Sequence, residues 1–364
     1  MRLCVRLLVV WVAVLLASCG GEDGDQAHLV RYERLVSFGD SLSDVGTHNV
    51  GSIAHLSANT GGGGRWTTNG PSGGEIWTER LAMQLGMDKP CAAQTGLQPN
   101  IPDLVGAAIT AVPGCYNYAQ GGARVTNPLG PNSIELQGLG QSTLGLIAKP
   151  VAQQIAAHLG AVGGRYSGQE LVTVMAGVND VFMELSFLGT PLGARDAAGA
   201  VANVAQAGVA LGQLVKTQIV AKGAKRVLVL NMPDVAGTPF AIRLGTSTVQ
   251  LMGSMVNAFN TQLAAQLQGV PEVRLVDTYR MSQDQALNPA QYGLTNVVDV
   301  ACGPNSLSSP PTANGTSLVC NASNSLAAVD VSRYQFADDV HPTAYGHLLL
   351  TQLIIKELLR AGWM

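Results

Sequence analysis

Short apolar runs alternate along the chain with longer segments in which apolar residues recur every three or four positions. A short apolar run predicts a buried strand, and the longer spacing predicts a helix. We therefore predict strands within residues 31–41, 170–180, 224–234 and, more weakly, 271–278. We predict helices over residues 194–224, 248–268 and 343–362. Strands that alternate with helices indicate a parallel sheet covered by helices on both faces.

The predicted strands end in Gly, Asn or Asp, and this places polar residues at one edge of the sheet. Ligands of such sheets bind beyond the carboxyl ends of the strands. Two Gly- and Ser-rich stretches, residues 57–74 and 127–145, interrupt the pattern and predict long loops near the same edge. We therefore expect a single site there, and we find no internal repeat.

Composition makes a globular protein the default. The chain has 364 residues, of which 47% are hydrophobic and 12% charged, and this is enough apolar material for a large core. The formal net charge is −3, and Lys and Arg are scattered rather than grouped. Nucleic acid is therefore not expected as a partner.

The N-terminus predicts export. Arg2 and Arg6 precede an apolar stretch over residues 7–17, which is typical of a signal peptide and too short to span a bilayer comfortably. The end of this stretch, "LASC", resembles the lipobox of bacterial lipoproteins, and this implies cleavage after residue 18 and acylation of Cys19. Gly20 in place of Asp implies an outer-membrane lipoprotein that faces the periplasm or the outside. An ordinary signal peptide and a secreted protein remain the alternative.

The domain prediction follows from this leader. Residues 1–18 are assigned to the signal peptide, residues 19–33 to a flexible tether, and residues 34–364 to a single domain.

The cysteines predict two disulfide bonds. With Cys4 in the signal peptide and Cys19 at the anchor, four of the six cysteines remain in an exported chain. Proximity in sequence favours the two pairs Cys91–Cys115 and Cys302–Cys320, although four cysteines allow three pairings. A zinc site is disfavoured because no CxxC or HxxxH spacing occurs.

Ser41 in "SFGDSLSDVG" is a candidate nucleophile, but the residues around it also fit a purely structural role. A serine hydroxyl reacts poorly unless a base takes its proton and donors receive the oxyanion. The stretch from Ser41 to Asp44 also fits a capping box, which predicts a helix starting here and implies no activity. The GxSxG elbow of α/β-hydrolases is absent.

The stretch "FADDVHPTAYGH" supplies candidate partners for this serine. Asp338 stands three residues before His341, and Pro342 biases His341 away from helical geometry, so both side chains are expected on one short loop. The aspartate would fix the imidazole tautomer and stabilise the imidazolium that forms when His341 takes a proton. Asp339 is the rival for this role, and we expect its side chain to point elsewhere.

Four blocks occur in the order found in the SGNH/GDSL hydrolase family. They are "FGDSLSDVG", "YNYAQGGARV", "GVND" and "DDVHPT". The chain resembles this family over most of residues 34–356, with a lipoprotein-type bacterial lipase or esterase as the nearest kind. The first block departs from the family where Gly46-Thr47-His48-Asn49 replaces the usual Gly-Asn, and this leaves substrate preference open.

The resemblance implies a fold and a mechanism. It implies a flavodoxin-like three-layer α/β/α sandwich with a central parallel sheet. It also implies that Ser41 is the nucleophile of a serine esterase or lipase, that His341 and Asp338 complete the triad, and that the backbone of Ser41 and Gly122 and the side chain of Asn179 form the oxyanion hole. No metal or organic cofactor is needed.

The expected substrate is a lipid or another acyl ester, and the protein is expected to be a monomer held at the membrane by its N-terminal lipid. Carbohydrate deacetylation is the runner-up, and phospholipase and acyltransferase activities stay open. A non-catalytic surface lipoprotein is a further alternative.

Several candidate residues also have structural explanations. Gly122 permits a left-handed turn, and Asn179 with Asp180 suits the start of a helix. His347 is expected to be structural. A last group either lines a substrate cleft or lies in a loop that exposes polar residues: His48, His55, Arg65 and Trp66.

Overall fold

The computed structural model describes residues 30–58, 63–70, 74–307, 314–322 and 329–364. The predicted signal peptide, Cys19 and the tether as far as residue 29 lie outside the described residues. The domain expected from residue 34 onward therefore lies mostly within them.

Strands and helices alternate through these ranges, as the hydrophobic pattern predicts. The strands are β1 Leu35–Gly39, β2 Gln94–Leu97, β3 Ala107–Ala111, β4 Leu171–Met175, β5 Val227–Leu230, β6 Val273–Val276, β7 Asn296–Val300 and β8 Tyr334–Phe336. The helices are α1 Gly51–Ala58, α2 Trp77–Gln84, α3 Val151–Ala161, α4 Val178–Ser186, α5 Ala197–Leu214, α6 Pro239–Arg243, α7 Thr246–Leu267, α8 Thr278–Leu287 and α9 Ala344–Arg360.

The central sheet is parallel, with the order β1-β4-β5-β6. A further extended segment lies along the free side of β1, where the Ser37 N–H donates to the Tyr116 carbonyl at 3.0 Å and the Tyr118 N–H donates to the Ser37 carbonyl at 2.8 Å. With this segment counted as the second strand, the order is 2-1-3-4-5. This is the flavodoxin-like order, and the fold expectation is confirmed.

The core strands are apolar on both faces because helices cover both faces. Every residue of β1, β4 and β5 is buried. Helix α3 contacts β1, while α7 and α9 contact β6. Helix α2 packs on α9, and α5 packs on α7. The near-continuous apolar runs of the sequence are therefore those of a doubly covered parallel sheet.

Helix α5 continues as a π-helical segment, Val215–Val220, and the combined length and apolar composition would be enough to cross a membrane. A core helix passes the same test. Here Val204, Leu211 and Ile219 are buried in the core cluster that includes the central strands. We therefore assign this helix to the α/β sandwich.

The predicted helix at Ser41 is wrong. Residues 41–43 form a turn, and the first helix of the described chain starts ten residues later, at Gly51. Asp40 and Asp44 hold the turn, since their carboxylates accept backbone N–H groups from Leu42, Gly46 and Thr47 at 2.7–3.1 Å. The capping pattern therefore folds as consecutive Asx turns instead of a helix start.

Both predicted disulfide bonds are present. Cys91–Cys115 closes the base of the antiparallel β2–β3 hairpin, with a Cα–Cα distance of 5.1 Å. Cys302–Cys320 joins the end of β7 to a short 3-10 helix, Ser317–Val319, with a Cα–Cα distance of 5.8 Å. The pairing that proximity favours is thus confirmed.

Candidate active site

Ser41 lies just beyond the carboxyl end of β1, at the edge of the sheet where ligands bind. The approach to it is fixed at Gly39, where φ is +156° and a Cβ would stand 2.2 Å from the Met175 carbonyl oxygen of β4. Gln154 of α3 then holds both backbone groups of Gly39, accepting its N–H and donating to its carbonyl, each at 2.8 Å. The nucleophile candidate therefore follows a rigidly anchored residue.

The structure brings Ser41, His341 and Asp338 together across 300 residues of sequence. Ser41 Oγ lies 2.8 Å from His341 Nε2. His341 Nδ1 lies 2.9 Å from each carboxylate oxygen of Asp338. A proton on Nδ1 donates to Asp338 and leaves Nε2 free to accept the serine proton, which is the tautomer that a general base needs.

Three backbone donors hold the Asp338 carboxylate. Oδ1 accepts the N–H groups of Val340 and His341 at 3.0 and 2.7 Å, and Oδ2 accepts the N–H of Ser317 at 2.8 Å. Burial by itself would raise the pKa of Asp338. The neighbouring His341 and the donated hydrogen bonds outweigh burial, so the net pKa of Asp338 lies well below its ordinary value. The group is therefore a fixed carboxylate at neutral pH.

Asp339 does not compete for His341. Its carboxylate pairs with both terminal nitrogens of Arg243 on α6 and accepts a hydrogen bond from Asn314 at 2.7 Å. Its carbonyl accepts the N–H of Phe240 at 3.0 Å. Asp339 thus ties α6 to the loop of the triad, and its side chain points elsewhere, as expected.

Two backbone N–H groups near Ser41 make no hydrogen bond to any described residue. They belong to Ser41 itself and to Gly122. Gly122 has φ +81°, and a Cβ there would stand 2.7 Å from the Pro131 carbonyl oxygen, so glycine is required for the conformation as well. The left-handed turn expected as the alternative is thus real. Unpaired N–H donors are what a developing oxyanion requires.

Asn179 lies in the first turn of α4. This helix follows β4, the strand that pairs with β1. Its Nδ2 donates to the carbonyl of Ala123 at 2.9 Å, which holds the amide beside the Gly122 loop. Gly177 occupies the N-cap position and no side chain caps this helix. Helix capping therefore does not explain Asn179.

A buried ion pair joins the same two segments. Arg124 Nε donates to Asp180 Oδ1 at 2.9 Å, and the Val125 N–H donates to Asp180 Oδ2 at 3.0 Å. Arg124 also reaches Glu184 of α4 at 3.5 Å. Gly122 and Asn179 come from different segments of the chain, and this ion pair fixes the spacing between those segments. Sequence reasoning missed Arg124, although it stands two residues after Gly122.

Asp44 joins the first block to the second, and His48 supports Asp44. Asp44 Oδ2 accepts the N–H of Gly121 at 2.9 Å and lies 3.4 Å from His48 Nδ1. His48 is fully buried, and its Nε2 accepts the N–H of Ile147 at 3.2 Å. His48 is therefore a structural residue of the site wall and does not line a cleft.

The loop predicted to expose polar residues is instead packed against the triad. The Trp66 ring lies 4.8 Å from the His341 ring, centroid to centroid, and Arg65 is buried against Glu79 at 3.0 Å.

His55 is exposed on α1. His347 is fully buried, and desolvation lowers its pKa to about 3, so it stays neutral in the core of α9.

Asp40 precedes the nucleophile and is almost completely buried. One of its oxygens accepts the Leu42 N–H, and the other has no hydrogen-bond partner among the described residues. Burial raises the pKa of Asp40 to about 7; the Leu42 N–H and His341 oppose this rise, and the carboxylate of Asp180 adds to it.

An apolar cavity opens beside the triad. It is walled by the residue that follows Ser41, by residues that flank His341, and by side chains from β4, α4, α8 and the 3-10 helix Val235–Gly237. These include Leu42, Val178, Val235, Met281, Val340 and Pro342. A second apolar groove shares Val340 and is lined by Leu136, Phe182, Met183, Phe187 and Phe240. The site therefore has apolar surface on both sides of Val340.

Comparison with known proteins assigns the chain to a family. The family described as GDSL-like lipase/acylhydrolase matches residues 35–354, so the chain belongs to that family. GDSL esterase/lipase APG from Arabidopsis thaliana is 28% identical over 150 residues, which span 38% of this chain and 40% of that protein.

Two solved structures match most of the chain at low identity. Axe2, an acetylxylan esterase from Geobacillus stearothermophilus, is 14% identical, with 91% of this chain and 96% of that chain covered and a TM-score of 0.35. A lipase/acylhydrolase from Enterococcus faecalis is 14% identical, with 89% and 94% covered and a TM-score of 0.34. The family match is thus the basis on which the chain is assigned to the GDSL-like lipase/acylhydrolases.

Proposed function

We propose that the protein is a serine carboxylic ester hydrolase that works through an acyl-enzyme on Ser41. The observation that carries the proposal is the continuous contact from Ser41 Oγ to His341 Nε2 at 2.8 Å and from His341 Nδ1 to Asp338 at 2.9 Å. A serine, a base and a residue that orients the base are the minimum set for nucleophilic catalysis at neutral pH.

In the first half of the reaction, Ser41 Oγ bonds to the ester carbonyl carbon as its proton passes to His341 Nε2. The carbonyl oxygen becomes an oxyanion, and the unpaired N–H groups of Ser41 and Gly122 with the Asn179 amide are its proposed donors. The C–O bond to the alcohol then breaks, and His341 gives its proton to the departing alkoxide. Asp338 stabilises the imidazolium between these steps.

In the second half, water replaces the alcohol. His341 takes a proton from water, the hydroxide adds to the acyl carbonyl, and the bond to Ser41 Oγ breaks as the serine regains its proton. The products are a carboxylic acid and the free enzyme. If an alcohol enters in place of water, the same steps give acyl transfer, and product analysis separates the two outcomes.

We further propose that the acyl group is a fatty acyl chain. The cavity beside Leu42 and Val340 is walled mainly by apolar side chains, and burial of apolar surface is worth about 0.8 kcal/mol per CH₂. An acetyl group is too small to bury much of this apolar surface. The apolar lining therefore supports lipid or acyl-ester substrates over acetylated carbohydrate.

The first experiment compares Ser41→Ala with Ser43→Ala on chromogenic acyl esters, using soluble protein that starts after Cys19. Ser43 lies in the same turn and its hydroxyl has no hydrogen-bond partner among the described residues, so it is a matched control. We expect Ser41→Ala to lose at least about 1,000-fold in kcat and Ser43→Ala to keep its activity. Equal activity of the two variants would remove Ser41 as nucleophile.

The second experiment tests the acyl chain. Met281→Trp enlarges a side chain that lines the cavity, and Met83→Trp makes the same change at an exposed position of α2. We expect Met281→Trp to lower the octanoyl-to-acetyl ratio of kcat/KM by about tenfold, because a few buried CH₂ groups are lost. A wild-type preference for acetylated xylan over octanoyl esters would instead support carbohydrate deacetylation.

A further inference from the structure

The 3-10 helix Ser317–Val319 contacts the triad from outside the catalytic blocks. Its first N–H donates to Asp338 Oδ2 at 2.8 Å. The next residue, Leu318, accepts the N–H of Gly64 at 3.0 Å, two residues before Trp66, whose ring lies against His341. This one turn of backbone thus supports both the acid and the imidazole.

The Cys302–Cys320 disulfide closes a ring of contacts around Asp338. Cys302 donates its N–H to the carbonyl of Ala337 at 2.8 Å, directly before Asp338. Cys320 donates its N–H to the carbonyl of Ser317 at 3.1 Å. The S–S bond joins the two cysteines, and the Ser317 N–H returns to Asp338 Oδ2. The path from the backbone of Asp338 to its carboxylate therefore runs through the disulfide.

A second tie holds the same turn. Asn69 donates its side-chain amide to the Ser317 carbonyl at 2.9 Å and its backbone N–H to the Cys320 carbonyl at 2.8 Å. Both cysteines are fully buried with Ala337 in a small cluster of their own. The disulfide and Asn69 together fix the turn against the triad loop.

We propose that the Cys302–Cys320 disulfide is a positioning device for the triad: it holds the Ser317 N–H on Asp338 and thereby sets the carboxylate that orients His341. Cys302, Cys320 and Ser317 are positioning residues, since none of them touches the reacting atoms. The proposal rests on the proposed function of Ser41, His341 and Asp338.

The first test removes the disulfide. Cys302→Ala/Cys320→Ala is compared with Cys91→Ala/Cys115→Ala, which removes the other disulfide at the β2–β3 hairpin. We expect kcat to fall about 10- to 100-fold in the first variant with KM changed less than about twofold, because a misplaced catalytic group costs up to about 100-fold. The second variant should keep the wild-type kcat.

The second test removes only the N–H. Ser317 is the first residue of its short helix, and Thr316 has φ −69° and ψ 138°, a conformation compatible with a following proline. Ser317→Pro is compared with Ser317→Ala, which retains the N–H and loses the same hydroxyl. We expect kcat of Ser317→Pro to be at least about tenfold below that of Ser317→Ala. This pair stays informative if the cysteine variant fails to fold.

A spectroscopic readout is independent of activity. The proton between His341 Nδ1 and Asp338 is expected as a low-field NMR resonance in the wild type and in Cys91→Ala/Cys115→Ala. It should broaden or move upfield in Ser317→Pro and in the Cys302–Cys320 variant. Unchanged kcat and an unchanged resonance in both would overturn the proposal. A protein whose activity survives Ser41→Ala but whose resonance responds as described would overturn the proposed function alone.

Discussion

Replacement of Arg124 by methionine tests the buried charge that joins the two oxyanion loops. Arg124 lies 2.9 Å from Asp180 and 3.5 Å from Glu184, and the side chains of both acids are less than a tenth exposed. Methionine keeps much of the apolar stem and leaves the two carboxylates without their cation. Loss of one partner of a buried ion pair costs about 3–5 kcal/mol, a large part of the 5–15 kcal/mol typical of a folded domain.

The stability lost in Arg124→Met should depend on pH in a predictable direction. Burial already raises the pKa of Asp180, and Arg124 opposes that rise, so the pKa increases further when Arg124 is removed. A carboxyl group whose pKa is higher in the folded than in the unfolded state binds protons on folding, so stability increases as pH falls. The deficit should therefore be largest at about pH 8 and shrink towards about pH 5.

Urea denaturation of wild type, Arg124→Met and Arg124→Lys across this pH range measures the effect. Arg124→Lys retains the charge without the Nε geometry and should lose about half as much as Arg124→Met. We also expect kcat to fall in Arg124→Met, because the spacing of Gly122 and Asn179 is no longer fixed. A deficit under about 1 kcal/mol, or one equal at every pH, would refute the reasoning.

Three further predictions concern single sites. Because burial raises the pKa of Asp40 to about 7, the wild type should lose up to about 4 kcal/mol of stability as pH rises from about 4 to about 7, and Asp40→Asn should remove this loss. Urea denaturation that gives the same pH profile for both proteins would contradict this. Gly122→Ala should lose about 1–3 kcal/mol of stability and most of its kcat, because the new Cβ would meet the Pro131 carbonyl at a positive φ. A variant that unfolds at the same temperature as the wild type would argue against this. Cys19→Ala should abolish labelling by a radioactive fatty acid and free the protein from membranes, and persistent label would exclude the anchor.

The sheet was predictable because its strands are local apolar runs. Residues around Leu35, Leu171, Val227 and Val273 stand out in the sequence, and a doubly covered sheet needs little more than such runs. The candidate triad was predictable from the order of its blocks and from the spacing of Asp338 and His341. Proximity in sequence was sufficient for the disulfides.

The turn at Ser41 was not predictable from the capping pattern. Serine followed by aspartate three residues on suits a helix start and a pair of Asx turns equally well. The choice is made by Asp44, whose second oxygen accepts the N–H of Gly121, a residue 77 positions away. A local pattern contains no information about that partner.

The support of the site was also hidden in the sequence. Arg65 and Trp66 lie in a Gly- and Thr-rich loop whose composition indicates exposure, yet both are buried. The loop is held where the N–H groups of Gly64 and Asn69 donate to the carbonyls of Leu318 and Cys320. The Ser317 N–H is a backbone group, so no side-chain pattern marks it. Such contacts arise only when distant segments pack together.

The most direct test of the account is covalent trapping of the nucleophile. Ser41 Oγ should bond to the phosphorus of a fluorophosphonate ester as the P–F bond breaks and fluoride leaves, and mass spectrometry should locate the phosphonyl group on the peptide that contains Ser41. Labelling should be absent in Ser41→Ala and slow in His341→Ala, since the imidazole accepts the serine proton. An adduct on another residue, or ester hydrolysis by protein that takes up no label, would contradict the central claim.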